Sequence, residues 1–124
     1  MNKTLLIDDV RTLKVNTICR TYTEGLKALK DDDWDEVYLD HDLGETKTGY
    51  DILCSLIKSD WQKRPKKILL ITSNPVGKKN IEGLLIQLGY QLIGDKLLKG
   101  SYSRKGNLKS YNTKFIATEW LIQK

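Results

Sequence analysis

Three short apolar runs in this chain each stop abruptly at polar residues. Lys3-Thr4-Leu5-Leu6-Ile7 meets Asp8 and Asp9, Glu36-Val37-Tyr38-Leu39 meets Asp40, and Lys67-Ile68-Leu69-Leu70-Ile71-Thr72 meets Ser73 and Asn74. Runs of that length, bounded by turn-forming residues, predict buried strands that end in loops. The unbroken aliphatics from Ile68 to Ile71 ask for cover on both faces, as in a parallel sheet. A weaker strand is expected over residues 15–20, where Val15, Thr17 and Ile18 are β-branched.

Between the strands the spacing becomes helical. Thr21 followed by Glu24 is a capping box, opening a helix that carries Leu26 and Leu29 and ends in the acidic residues 31–33. A second helix is predicted from about Thr48, with Tyr50, Leu53, Cys54 and Ile57 on one face. A third carries Ile81, Leu84, Leu85 and Leu88 and is stopped by Gly89. Strands alternating with helices over short connections imply right-handed crossovers and a parallel sheet. Beyond Tyr90 the pattern changes. Leu92-Ile93 and Leu97-Leu98 are brief, and residues 100–112 read as a basic loop. Residues 114–122 alternate enough for a strand paired back on residues 90–98, with a helix as the alternative. The expected organisation is an α/β unit over residues 1–90, with a basic C-terminal extension over 91–124 packed on it.

Length and composition narrow the class. With 124 residues, 40% hydrophobic and 30% charged, the chain has room for one globular domain and is not disordered. No segment approaches a membrane span, and the leading apolar run is too short for a signal peptide. Cys19 and Cys54 lie in apolar runs without metal-site or disulfide spacing, so both read as small buried hydrophobes of a reducing compartment. A cytoplasmic location follows as the expectation.

Charge adds a second layer. The net +5 conceals an asymmetry: residues 1–57 hold 7 basic and 12 acidic side chains, whereas residues 58–124 hold 14 and 4. An acidic site on one part and an anion-attracting surface on the other would produce such a split.

The acidic half has a focus. Ligands of open parallel sheets sit beyond the carboxyl ends of the strands. The predicted ends there carry Asp8-Asp9, Asp40-His41-Asp42 and Ser73-Asn74. Carboxylates gathered so closely raise one another's pKa unless a cation joins them. A hard divalent ion with oxygen ligands answers that need, which makes Asp8, Asp9, Asp40 and Asp42 candidate ligands for Mg²⁺ or Mn²⁺. His41, the only histidine, stands between two carboxylates and is the candidate acid–base group. The segment from Ser73 to Asn80 joins a strand to a helix start. Ser73, Asn74, Gly77 and Lys78 are its candidate phosphate-binding residues, since free amides and the helix dipole favour an anion.

Leu6-Ile7-Asp8-Asp9, Leu39-Asp40, Thr48-Gly49-Tyr50-Asp51 and Ser73 resemble the receiver domain of two-component signalling. That resemblance implies Mg²⁺ held by Asp8, Asp9 and Asp40, phosphoryl transfer to Asp40, and Ser73 in the hydroxyl position. Two departures stand out. Residues 9–14 leave room for a turn where receivers have a helix. The receivers' Lys-Pro pair is missing, with Lys96 and Lys99 as the substitutes for its charge. Leu39-Asp40-His41-Asp42-Leu43-Gly44 and Asn74-Pro75-Val76-Gly77 resemble more closely a receiver offshoot, the cyclic-phosphate-processing receiver-like domains of bacteria and phages. The resemblance covers roughly residues 3–90.

It implies a small flavodoxin-like, receiver-like open parallel sheet; the residues themselves add the reduced first helix and, outside the resemblance, a C-terminal extension expected as a β-hairpin. The implied activity is metal-dependent hydrolysis of a cyclic phosphate on RNA ends or nucleotides. Its partners are then a phosphorylated nucleotide or RNA end, with no membrane, and a homo-oligomer is compatible with it. Two other classes compete: a signalling receiver phosphorylated on Asp40, and a non-catalytic nucleotide or RNA binder. The second would use Tyr90, Tyr102, Tyr111 and Trp120 among the lysines of the basic half.

Overall fold

A computed structural model describes residues 2–104 and 107–123 of the chain; of the predicted loop over 100–112, Lys105 and Gly106 lie outside the described residues. The apolar runs become β1 (Thr4–Ile7), β4 (Glu36–Leu39) and β5 (Lys67–Leu70), each half-covered at its first residue and buried at the next three. Between β1 and β4 lie β2 (Arg11–Thr12), β3 (Thr17–Cys19) and α1 (Tyr22–Asp31). α2 (Gly49–Lys58) precedes β5, and α3 (Pro75–Gln87) follows it. The predicted helix starts hold. Thr21 caps α1, and Thr48 and Asp51 form a reciprocal capping box on α2. α3 ends at Leu88, and Gly89 turns the chain at φ 95°, a conformation that favours glycine.

The last two elements are long strands, β6 (Tyr90–Tyr102) and β7 (Tyr111–Ile122), paired antiparallel over their whole length. The strand over 114–122 therefore forms and pairs back as expected, but both strands run further than their apolar runs. Trp120 and Ile116 are four apart on β7, whereas their partners Leu92 and Leu97 are five apart on β6, because of a bulge between Leu92 and Gly94. The extra residue breaks the alternation that would have marked one continuous strand.

All seven strands form one mixed sheet in the order β2-β6-β7-β5-β4-β1-β3. β3, β1, β4 and β5 are mutually parallel, in the receiver-like part of that order. The fold expectation needs correction beyond β5. A clean open parallel sheet would continue parallel, but β7 joins β5 antiparallel, and β6 and β2 extend the sheet in the same sense. The reduced first helix is also explained: the segment after β1 forms the short strand β2.

That placement curls the sheet. Only residues 8–10 separate β1 from β2, yet five strand-to-strand steps lie between them in the sheet. A flat sheet would put them about 24 Å apart at ~4.8 Å per step, whereas four residues of chain reach at most about 14 Å. The sheet must therefore bend into a near-barrel.

Two cores follow from the bend. One lies between the sheet and the helices, joining Leu5, Ile7, Val37, Leu39, Ile68 and Leu70 to Leu29, Leu53, Leu56, Ile81 and Leu85. The other lies inside the curl, where Leu6, Tyr38, Leu69 and Ile71 meet Leu13, Leu98 and Ala117. Successive residues of a strand point to opposite faces, so each parallel strand feeds both cores. All three helices pack into the first core, and the bent hairpin with β2 covers the second.

Candidate functional site

The carboxyl ends of β1, β4 and β5 meet at one rim of the curl. Asp8 follows β1 and is fully buried. Its Oδ1 accepts the backbone N–H groups of Val10 and Arg11, each at 2.9 Å. These bonds form a tight Asx-type turn, after which the chain enters β2. The turn aims Arg11 at the acids. Its Nη1 lies 3.0 Å from Oδ2 of Asp8 and 3.1 Å from Oδ2 of Asp40. Arg20, just after β3, pins the turn from below, donating to the carbonyls of Asp8 and Arg11 and to Oγ1 of Thr12.

Asp40, at the end of β4, is 4% exposed. Its Oδ1 accepts the His41 amide at 2.8 Å, and the hydroxyl of Thr72, at the end of β5, also bonds its carboxylate. Burial, then the charge of Asp8, pushes the Asp40 carboxyl up to about 7, against the opposing pull of Arg11, Thr72 and the His41 amide. Carboxylate oxygens of Asp8, Asp9 and Asp40 all lie within 4.8 Å of one another. The donor set is oxygen alone and anionic, and one guanidinium is shared between its two buried members. That chemistry fits a hard divalent cation.

His41 opens the next loop. Its Nδ1 is 3.0 Å from Oδ1 of Asp42, and the ring rests on Gly77 in the first turn of α3, where any Cβ would collide with it. Gly49, the first residue of α2, is demanded by a similar approach: a Cβ there would run into the Asp40 carbonyl oxygen. Its amide donates to the His41 carbonyl at 2.8 Å. Two glycines thus let two helix starts close on the same strand end.

The other sequence-selected residues take more varied places. Asp42, its side chain 59% exposed, does not join the three converging carboxylates. It bridges His41 and Nδ2 of Asn74, the latter at 3.5 Å. Asn74 caps α3, and its Oδ1 takes the Gly77 amide at 3.0 Å, so that amide already has a partner. Lys78 is half-buried on the same turn, and Ser73 is exposed in the loop before it.

Arg11 and Thr72 are the contributors that sequence reasoning overlooked. Thr72 reads as the last residue of a strand, and Arg11 lies in a stretch with no period at all. Arg11 pairs with two of the three acids, and among the ion pairs of the described residues none joins Lys96 or Lys99 to the cluster. Of the four aromatics considered for base stacking, Tyr90 and Trp120 belong to the helix-side core, 3% and 4% exposed. Tyr102 and Tyr111 remain outside it.

Comparison with known proteins adds three findings. A search of curated proteins gives no match. Among solved structures, a proposed RNA methyltransferase from Pyrococcus horikoshii is similar at a TM-score of 0.51 and 10% identity, over 90% of this chain and 52% of its own. A fusion carrying residues 181–211 of the yeast Spc42 trimeric coiled coil reaches 0.49 at 17% identity, over 67% of this chain and 60% of that one. The chain thus spans between half and two-thirds of the length of either structure, and the first of them shows the shared α/β fold alone. The third finding concerns family: the pattern of the cyclic-phosphate processing receiver domain matches residues 3–87, which takes in β1 to α3 and all of the strand-end acids. The chain belongs to the cyclic-phosphate processing receiver domain family.

Proposed function

We propose that this chain is a metal-dependent phosphoesterase that opens a cyclic phosphate on an RNA end or a nucleotide. The observation that carries the reading is the convergence of Asp8, Asp9 and Asp40 within 4.8 Å, at the rim that also holds His41. Asp8, Asp9 and Asp40 would hold Mg²⁺ or Mn²⁺. When bound, such an ion polarises a phosphoryl group and makes a coordinated water more acidic.

The chain's own residues supply the rest. Hydrogen bonding of Nδ1 to Asp42 orients the His41 ring and favours the tautomer with a basic Nε2. Nε2 takes a proton from the attacking water as its oxygen bonds to phosphorus. The bond from phosphorus to one ribose oxygen breaks on the opposite side, that oxygen takes its proton from solvent as it leaves, and the imidazolium returns its own proton to solvent. Lys78 and Ser73 provide donors, and the dipole of α3 adds field, for charge growing on the phosphoryl oxygens.

Phosphoryl transfer to Asp40, as in a signalling receiver, ranks second. Asp40 is 4% exposed, and its oxygens each accept a hydrogen bond, from Arg11 on one and from the His41 amide on the other, which draws electron density from an attacking carboxylate.

The test is a panel of 2′,3′-cyclic nucleotides, cyclic oligonucleotides and cyclic-ended RNA, each with Mg²⁺, Mn²⁺ or EDTA. Turnover with metal, abolished by EDTA and by Asp40→Asn, is the expected result. Stable label on Asp40 from a labelled phosphodonor, without turnover of any cyclic phosphate, would move the assignment to the receiver. Metal-independent binding that survives Asp40→Asn, again without turnover, would leave only a binding module.

A further inference from the structure

A second concavity opens directly beside the acidic centre. It is a cleft of about 320 Å³ lined by Val10, Arg11, Tyr102, Arg104, Thr113 and Phe115, at the mouth of the curled sheet. Its location follows from the strand register. β2 pairs with β6 so that Arg11 stands opposite Tyr102, and β6 pairs with β7 so that Tyr102 stands opposite Tyr111. The three side chains therefore form one row across three strands.

The row has a defined stacking geometry. The Tyr102 and Tyr111 rings are 5.4 Å apart at 27°, and it is Tyr102 that lines the cleft, with Tyr111 backing it. On the other side the Arg11 guanidinium lies 5.1 Å from the Phe115 ring centroid. That same guanidinium holds Asp8 and Asp40, so the cleft and the acidic centre share a wall one side chain thick.

Resting on the phosphoesterase reading, we infer that this cleft is a nucleobase subsite, placing the base of a terminal nucleotide on Tyr102 while its ribose cyclic phosphate reaches the carboxylates. Planar aromatic walls suit a base, which offers a π-face whatever its identity. Arg104 adds positive charge at the entrance, as an adjoining phosphate requires, and Thr113 offers a hydroxyl to the base edge. Among the described residues, no acidic side chain lines the cleft. The volume is at the lower end for small-ligand pockets, large enough for a base and too small for several nucleotides. One substrate end, with its base in the cleft, is what the space allows.

The test compares adenosine 2′,3′-cyclic phosphate with methyl riboside 2′,3′-cyclic phosphate, which lacks the base. Binding to the 124-residue chain carrying Asp40→Asn is followed by NMR shifts, and turnover by the unsubstituted chain is measured in parallel. The adenosine compound is expected to bind about tenfold more tightly than the base-free one. Tyr102→Leu should erase that difference, Tyr102→Phe should keep it, and Arg104→Ala should weaken both ligands alike. The Phe variant guards against a simple folding defect. Equal binding of the two ligands, or a difference that Tyr102→Leu leaves intact, would overturn the subsite. Turnover of both compounds without discrimination would remove the subsite and leave the phosphoesterase standing. Base-dependent binding without any turnover would do the reverse, and absence of both binding and turnover would remove both.

Discussion

Asp40 shows how one buried residue couples the fold to its chemistry. It sits 4% exposed at a strand end, with its carboxyl raised to about 7 by burial and by Asp8. The ordinary carboxyl, at 3.8, represents the unfolded chain. The folded protein therefore retains a proton that the unfolded chain has lost, and stability falls as pH rises from about 4 to about 7, then levels off. Asp40→Asn removes that penalty. In EDTA the variant should exceed the native chain in thermal stability at pH 8, by an amount on the order of 2–4 kcal/mol at most. The gap should shrink toward pH 4. Melting curves of both chains across that range test this, and a gap independent of pH would contradict it. Arg11 limits the same penalty in the native chain, because a single guanidinium serves both buried carboxylates.

At the scale of elements, the site is made by helix starts pressed against strand ends. Gly77 lets α3 approach until its first turn touches the imidazole of His41. Gly77→Ala should leave the fold intact, since alanine favours a helix over glycine by about 1 kcal/mol. Its methyl group should nevertheless displace the ring and cut turnover by about tenfold or more. His41 is the only histidine, so its imidazole resonances report the displacement without ambiguity. Full turnover with an unmoved ring would show that the contact has no role.

This scale also explains what the sequence could convey. The acidic ends of β1 and β4 were legible because an apolar run stopped by aspartates is a purely local signal. The helix starts at Thr21 and near Thr48 were legible for the same reason, whereas Asn74, read as a phosphate-binding residue, caps α3. β2 was not, since a strand of two residues, Arg11 and Thr12, has no period. The full length of β6 was hidden by its bulge and by residues 91–97, which stay exposed because no core covers them. Thr72 and Arg11 reach Asp40 only through sheet pairing and the curl, which depend on contacts far apart in the chain.

Across the whole molecule, the antiparallel β7 turns a receiver-like sheet into a curled one. The curl explains two features together: a second core around Leu6, Leu69, Leu98 and Ala117, and a mouth where β2, β6 and β7 present Arg11, Tyr102 and Phe115 beside the carboxylates. The charge asymmetry of the sequence acquires a location. Its acidic half contributes Asp8, Asp9 and Asp40, and its basic half contributes Arg104 to the cleft beside them. The most direct measurement is ³¹P NMR of a cyclic-ended RNA incubated with the 124-residue chain and Mg²⁺ in ¹⁸O-enriched water. The account predicts a ring-opened phosphomonoester carrying one ¹⁸O per turnover, with no reaction in EDTA or with Asp40→Asn. A cyclic phosphate that stays intact with Mg²⁺ and with Mn²⁺, at an enzyme concentration equal to that of the RNA, would contradict it.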